Sequence, residues 1–418
     1  DKEYLSKIEQ PHNINWLSIA PFTPTSRDEN LHKIALRVNA KFKASTSSIS
    51  GLFSHLYQVQ SNFRPVDTSH LSDAFRNQPK GFGRTLAQKP ASVIIRPRDG
   101  IYGIDAEPEG DSTHQILIDL GKTLERMLTM PPEEFKEMVV VPEGGECFEV
   151  PPHLLASTYN FSKFGEFCLR SQLDCVQGGN KIFDLKTRAT HAIRNSFSHD
   201  DPGVDPKDRY KRHVETYRID KQRGQFNSFE RELYDMMRSA FLKYSVQLRI
   251  GRMHGAFVTY HNTAEIFGFQ YIPLSTIDKL IYGNTHMALT HFDTAAKLIS
   301  FILNTVLQSG PSGKPIRMSI VPIKESRMLV IERREVLSEE VEEPEEGSKD
   351  DPKYTLTYGE PQSWLLWVRT KLNGEYTDEP WMFTDKDKFE CEYVMVPTED
   401  YKGKNVDISK VMTWPRET

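Results

Sequence analysis

Asp184 and Lys186 are the residues from which chemistry is most readily read. They stand two apart in Lys181-Ile-Phe-Asp-Leu-Lys-Thr187, a run of strand-like composition. Side chains along a strand repeat with period two, so the carboxylate and the ammonium share a face. Taken alone, the two could equally form an exposed ion pair of little energetic weight. The preceding run, Phe167-Cys-Leu-Arg-Ser-Gln-Leu-Asp-Cys-Val176, is also strand-like and contributes Asp174, with Gln177-Gly-Gly-Asn180 between them. Glycines accept the positive φ that a tight turn demands, so the two runs read as a hairpin. Loop length decides what that hairpin can do. If Gly178, Gly179 and Asn180 form the loop, Gln177 pairs with Lys181 and Asp174 stands opposite Asp184 on one face. If the loop is Gly178-Gly179 alone, Asp174 pairs with Phe183 and the two acids point apart.

Two carboxylates side by side repel unless a cation or the lysine joins them, and hard oxygen donors suit Mg²⁺ or Mn²⁺. A third acid can come from His114–Met130, where Ile116, Leu117, Leu120, Leu124 and Leu128 fall at helical spacing. Gly121 and Glu125 lie four apart on one face of that helix, the glycine permitting close approach to a sheet. Glu125 could instead be a solvated helix residue, and Glu166, just before the first strand, is the alternative outer acid.

The elements that must position these groups can be followed along the chain. Residues 1–45 read as extended and polar, with Pro11, Pro21 and Pro24, and wrap over something else. Thr46–Tyr57 reads as a helix opened by Ser and Thr caps. Ser92–Arg96 and Gly100–Asp105 read as short strands, and Pro131-Pro132 ends the 114–130 helix. Phe226–Val246 reads as one long helix burying Phe229, Leu233, Met236, Met237, Ala240, Phe241 and Tyr244. Gly255–Tyr260 is a strand and 285–308 a mostly apolar helix. From Pro315 onward the chain is strand-like, with an Asn373-Gly374 turn, and no internal repeat is found.

The chain has 418 residues, 38% apolar and 27% charged, with a formal net charge of −5. That length and composition fit a soluble globular core with an appended part, and exclude wholesale disorder. The longest apolar stretch, Leu298–Leu307, is about half of what a membrane-spanning helix needs. The four cysteines, at 147, 168, 175 and 391, form no CxxC pair and read as free thiols in a reducing compartment. Beginning at Asp1, with no Met and no signal or transit peptide, the chain reads as processed or trimmed. Charge is uneven. Lys186–Arg252 holds fifteen Lys/Arg against nine Asp/Glu, whereas Ser338–Asp351 holds eight acids and one lysine. The acidic run reads as an exposed, mobile loop. His191, His199 and His213 are dispersed and read as surface histidines. Gly178-Gly179 is a turn rather than a phosphate loop, since no lysine-bearing helix follows at the required spacing.

The series Gly121-Lys-Thr-Leu-Glu125, Ser171-Gln-Leu-Asp174 and Asp184-Leu-Lys186 resembles the helix-acid, strand-acid, acid-x-lysine order of the PD-(D/E)XK nucleases. The RecB and lambda-exonuclease branch is the nearest, and Ser47-Ser-Ile-Ser-Gly-Leu-Phe53 is similar to its entry helix. Glu230-Arg-Glu-Leu-Tyr234 stands where that branch has a Gln-x-x-x-Tyr helix, with Glu for Gln. Asn13-Ile-Asn-Trp16, Phe167–Asp174, Phe183-Asp-Leu-Lys-Thr-Arg188 and Asp235-Met-Met-Arg238 resemble the fungal mitochondrial RNA 5′-end processing proteins. That resemblance runs over most of the chain.

The resemblance implies an α/β fold with a mixed central sheet flanked by helices. The nuclease core would span 46–310, between an extended segment (1–45) and a strand-rich C-terminal part (311–418) carrying the acidic loop 338–351. It implies a 5′-to-3′ exoribonuclease of the mitochondrial matrix, loosely associated with the inner membrane and in contact with the mitochondrial RNA polymerase. Asp174, Asp184, the Leu185 carbonyl and, more loosely, Glu125 would hold Mg²⁺ or Mn²⁺, and Lys186 would orient and help deprotonate the attacking water. Arg188, Arg231, Tyr234 and Arg238 would contact RNA phosphates, or else simply line a basic helix surface. A non-catalytic RNA- or polymerase-binding adaptor and a DNA exonuclease of the same fold are the alternatives.

Overall fold

A computed structural model of the chain describes residues 2–83, 86–87, 89–107, 115–142, 145–155, 157–196, 218–310, 313–323, 326–342, 353–377 and 381–398. Two mixed sheets share the work. The larger has eleven strands in the order β14-β13-β11-β10-β2-β3-β1-β5-β4, with β12 paired to β11 and β15 to β13. Here β1 is Phe42–Ser45, β2 Ala91–Arg98, β3 Ile101–Ala106, β4 Tyr159–Phe164 and β5 Phe167–Gln172. The C-terminal strands are β10 (Ile316–Ile323), β11 (Met328–Glu342), β12 (Lys353–Tyr358), β13 (Gln362–Leu372), β14 (Glu375–Tyr376) and β15 (Phe389–Pro397). The smaller sheet runs β6-β7-β8-β9, from Cys175–Gln177, Lys181–Ala189, Gly255–His261 and Ile266–Pro273.

Burial follows from what lies on each face. β1 pairs in parallel with β3 and β5 and is buried at all four residues, as a strand covered on both sides must be. β10 and β13 alternate buried and half-buried residues, because one face lies under helices. Those helices are α3 (Thr46–Gln60) and α10 (Thr285–Gln308), whose Phe53 and Phe292 rings stack 4.7 Å apart over the sheet. Ser45 caps α3 through a capping box with Ser48. The C-terminal strands therefore do not form a sheet of their own: β10 hydrogen-bonds to β2 and β11 to β10. The acidic run is likewise not all loop, since Ser338–Glu342 continue β11 and pair with β12. Residues 343–352 lie outside the described residues. Among the described residues no helix is long and apolar enough to cross a membrane, and all four cysteines are free.

Three other expectations need correcting. Residues 1–45 are not uniformly extended. They include α1 (Lys2–Leu5), α2 (Glu29–Arg37) and β1, and Asp28 caps α2 by accepting from Leu31 N. The segment before α2 does wrap the core. Lys43 in β1 is fully buried with its ammonium 3.1 Å from Ser26 O, and a Cβ on Gly103 would come within 2.9 Å of Ser26. The 167–176 run is two strands, β5 in the large sheet and β6 in the small one. The 226–246 helix begins at Phe229 and divides at Ala240 into α7 (Phe229–Ser239) and α8 (Phe241–Ile250). Gly83 N donates to Arg238 O at 2.9 Å, taking the acceptor a continuous helix would use.

The remaining helices are α4 (Gln115–Thr129), α5 (Pro132–Met138), α6 (His191–Ser196) and α9 (Leu274–Tyr282). β9 and α9 have no counterpart in the sequence reading. Pro132 opens α5 as readily as it closes α4, since proline suits a first helical turn.

Three imidazoles are sealed in this packing. Burial pushes His55 and His261 down to about 4 and His291 to about 3, with the Arg64 charge adding to the last. Each stays neutral in the folded chain where the unfolded chain takes up a proton. Stability present above the ordinary value of 6.5 is therefore lost as pH falls towards 4, at up to about 1.4 kcal/mol per pH unit for each ring. Thermal unfolding followed from pH 7.5 to 5 should show this decline, and His291→Gln should flatten part of it. A profile unchanged by that substitution would show that His291 is not the titrating group.

Candidate active site

The geometry of the candidate site begins with the turn. Gly178 and Gly179 have φ of +60° and +79°, and the β6–β7 register is Gln177↔Lys181, Val176↔Ile182 and Cys175↔Phe183. The loop is thus the three-residue one, and the next position back brings Asp174 opposite Asp184. The ladder itself stops at Cys175. There the Asp174 side chain takes over, accepting from Leu185 N at 2.8 Å. Residue 174 sits where the chain leaves the large sheet for the small one, which frees its side chain from either ladder.

Asp184 is 5% exposed, and Lys186 Nζ lies 2.9 Å from its Oδ1 and 2.8 Å from its Oδ2. Period two along β7 produces this contact, as the shared face requires. The Lys186 ammonium also lies 5.6 Å from the centroid of the Tyr244 ring on α8. Glu125 arrives from α4, which packs on β7 with Gly121 against Thr187. A Cβ on Gly121 would stand 3.4 Å from Thr187 Oγ1. Gln172 Nε2, at the end of β5, donates to Glu125 Oε1 at 3.1 Å.

The charges in this pocket are under-compensated. Burial and the neighbouring Asp184 charge raise the Asp174 carboxyl to about 8. Burial also raises Glu125, against the pull of Lys186 and Arg126. Cys175 feels the same field, its thiol raised to about 11 by burial and then by Asp174, Asp184 and Glu125. Burial opposes the Lys186 charge, yet Asp184 and Asp174 hold its pKa above the ordinary lysine range. Among the described residues no group of three or more His, Cys, Asp or Glu side chains is clustered as a ready-made metal cage.

The other expected residues are engaged elsewhere. Glu166 lies in the β4–β5 turn, where it accepts from Ser300 Oγ and from Asn304 Nδ2 at 2.9 Å. Glu230 binds the loop before it, accepting from Ser72 N and Oγ and from Gly224 N. Burial would raise its pKa, but those bonds hold it below the usual carboxylate value. Tyr234 is 1% exposed and donates to Pro79 O at 2.6 Å, while Arg238 spans Gly81 O and the Tyr234 hydroxyl. Arg188 is buried against Glu232 at 3.2 Å, which also takes Arg194 at 2.9 Å. Arg231 pairs with Asp235, as does His191 at 2.7 Å. Through Glu232, Arg188 and Arg194 tie α7 and α6 to the end of β7. Much of the basic stretch, with His199 and His213, lies outside the described residues.

Two participants went unread in the sequence. Tyr244 reads as an apolar-face residue, and nothing in helical periodicity marks its ring as a lysine's neighbour. Gln172 does carry a signal, since it stands two before Asp174 on the same run.

Comparison with known proteins supplies the lineage. A 35% identical relative in Schizosaccharomyces pombe, named mRNA degradation protein pet127, mitochondrial, matches over 309 residues, 72% of this chain. A Saccharomyces cerevisiae relative, named putative mitochondrial translation system component PET127, is 35% identical over 66% of this chain. The chain spans only 56% and 32% of those two relatives' lengths. Rai1 of Scheffersomyces stipitis aligns over 81% of this chain and 82% of its own, at 12% identity and a TM-score of 0.36, a likeness too distant to support an argument. The family model described as mitochondrial protein Pet127 matches residues 22–308, so the chain belongs to that mitochondrial family.

Proposed function

We propose that the chain is a metal-dependent phosphodiesterase, a 5′-to-3′ exoribonuclease that trims and degrades mitochondrial RNA. The observation that carries this reading is the meeting of buried Asp184 and half-buried Asp174 beside Lys186, with Glu125 at their margin. Helix acid, strand acid and acid-x-lysine thus converge in the order that the PD-(D/E)XK nucleases share. The name of the fission-yeast relative, an mRNA degradation protein, supports RNA as the substrate.

The donor set fits Mg²⁺ or Mn²⁺. It is all oxygen and negative in excess, with three carboxylates in one another's field against the single Lys186 ammonium. Asp174, Asp184 and the Leu185 carbonyl would hold the ion, with Glu125 reaching it more loosely. A strand residue sends its N–H and C=O from one edge. Because the Leu185 N–H goes to Asp174, its carbonyl opens to the same side. A bound divalent ion would supply Lewis acidity at the phosphate and a more acidic water. Lys186, as an ammonium, donates to Asp184 and is poised to orient that water and offset charge building on the phosphate oxygens. Gln172 steadies Glu125, and the Tyr244 ring backs the ammonium.

A non-catalytic adaptor for RNA or for the mitochondrial RNA polymerase is the second reading. The name of the budding-yeast relative, a translation system component, favours it. Polymerase contact and peripheral attachment to the inner membrane belong with either reading.

Incubation with Mg²⁺ and RNA labelled at its 5′ or 3′ end tests the reading. Release of the 5′ label as mononucleotide is the expected result, and intact RNA under all metal conditions favours the adaptor. Asp184→Asn, which removes one charge at constant shape, should abolish cleavage and leave RNA binding near the wild-type level. Normal cutting by that variant moves the chemistry elsewhere. Lys186→Ala should spare metal affinity but slow single-turnover cleavage of 5′-monophosphorylated RNA by about a hundredfold or more. Equal rates at saturating Mg²⁺ would remove Lys186 from the mechanism.

A further inference from the structure

The small sheet has a second face that the proposed chemistry does not use. Asp184 and Lys186 point one way from β7, so Lys181, Phe183, Leu185 and Thr187 point the other. Register carries that face across the sheet, with Phe183 and Leu185 leading to Phe257 on β8 and Phe257 to Tyr271 on β9. Phe269, two before Tyr271, shares its side.

Helix α4 covers only one end of this face, where Gly121 meets Thr187 and Ile266 joins the cluster built on Leu120 and Leu124. The face is open along the edge strand β9, where Phe269 is in register with Thr259 and Thr187, and Tyr271 with Phe257 and Leu185. Tyr271 is 41% exposed and Phe269 48%, values that a soluble protein rarely gives two neighbouring rings on one strand. Beneath them the rings brace one another. Phe183 is buried and meets Phe257 and Tyr271 edge-on at 5.2 and 5.5 Å, and Phe257 and Tyr271 lie 5.0 Å apart. Gly255 lets Tyr271 lie flat on the strand beside it, since a Cβ there would come within 2.8 Å of the Tyr271 ring.

The rim is cationic. Lys181 and Arg252 are exposed where Phe183 and Gly255 begin the face, and residues 177–183, 252–257 and 269–273 contain no Asp or Glu. The face is also continuous with the candidate site. Cys175, on the aromatic side of β6, lies one residue from Asp174 and in the field of Asp174, Asp184 and Glu125.

We propose that the open face of β7, β8 and β9 is a stacking platform for the bases of single-stranded RNA, with Phe269 and Tyr271 as the contact rings. This rests on the nuclease reading for the identity of the strand. Planar rings on a rigid sheet with phosphate-seeking charges at the rim are the combination that binds unpaired nucleic acid without reading sequence. A duplex hides its bases' faces, so the platform selects unpaired RNA and leads it past β6 to the acids.

The test is equilibrium binding in EDTA, where no metal-dependent cleavage intervenes. The probes are a fluorescent oligouridylate, an abasic ribose-phosphate strand of equal length, and a blunt RNA duplex. Wild type should prefer the oligouridylate. The Phe269→Ala/Tyr271→Ala double variant should lose roughly tenfold or more of that affinity and little for the abasic strand. Tyr271→Phe should retain it, and a matching far-UV circular dichroism spectrum and melting temperature establish that the variants fold. Equal affinity of wild type and double variant for the oligouridylate overturns the platform. So does an equal loss on the abasic strand, or a change from dimer to monomer in light scattering without a change in RNA affinity, which would make the face a protein interface. Ring-dependent binding by a wild type that cleaves nothing would keep the platform and sink the nuclease reading. Cleavage with ring-independent binding would do the reverse.

Discussion

Two carboxylates held side by side where the two sheets meet are the constraint around which this molecule is arranged. Asp184 is buried and Asp174 half-buried, and the Asp174 carboxyl is raised to about 8 by desolvation and by its neighbour's charge. A fold tolerates such a pair only where the backbone pins both chains and a cation is at hand. Here the pinning comes from the β6–β7 ladder and the Asp174–Leu185 bond, and the cation is Lys186. The strand change at residues 173–174 follows from this. Only a residue released from the large sheet, and not yet committed to the small one, can turn its carboxylate to a neighbouring strand's amide.

The second layer of support is ionic. Glu232 is completely buried yet gathers Arg188 from β7 and Arg194 from α6, while Asp235 gathers Arg194, Arg231 and His191. Removing one partner of such a network leaves a charge stranded, which costs about 3–5 kcal/mol. The C-terminal end of β7 is thereby fixed, and with it the orientation of Asp184 and Lys186 a turn of the pleat away. Arg188 and Arg194, part of the basic stretch in a linear reading, are in three dimensions bound to Glu232 and hold the end of β7.

What could be read from residues alone was what short-range geometry decides. Period two put Asp184 and Lys186 on one face, while loop parity tied the meeting of the acids to a three-residue turn without choosing that turn over the two-residue one. Helical spacing carried Glu125 to the sheet beside Gly121. Element spans were legible where apolar spacing is strong, as in Thr285–Gln308. What stayed hidden depends on long-range pairing. No local pattern assigns β10 to the edge of β2, or tells that Phe167–Val176 crosses between sheets at Leu173. Nor does any local pattern say that Gly83 will take the Arg238 carbonyl and break a helix. The ion pairs of Arg188 and Arg194 were hidden for one reason: their partner Glu232 is about forty residues away along the chain, and charge counts ignore pairing.

The three-residue turn at 178–180 has an evolutionary corollary. β7 is held in register from its far side by β8, so a change in turn length slides only β6. Deleting or adding one residue there would rotate position 174 to the opposite side of the ribbon and part the acids, although both would remain in the sequence. Changes of two residues keep the parity. Across descendants of this chain, the turn should therefore vary in length by even steps wherever cleavage is under selection, and drift freely where it is not.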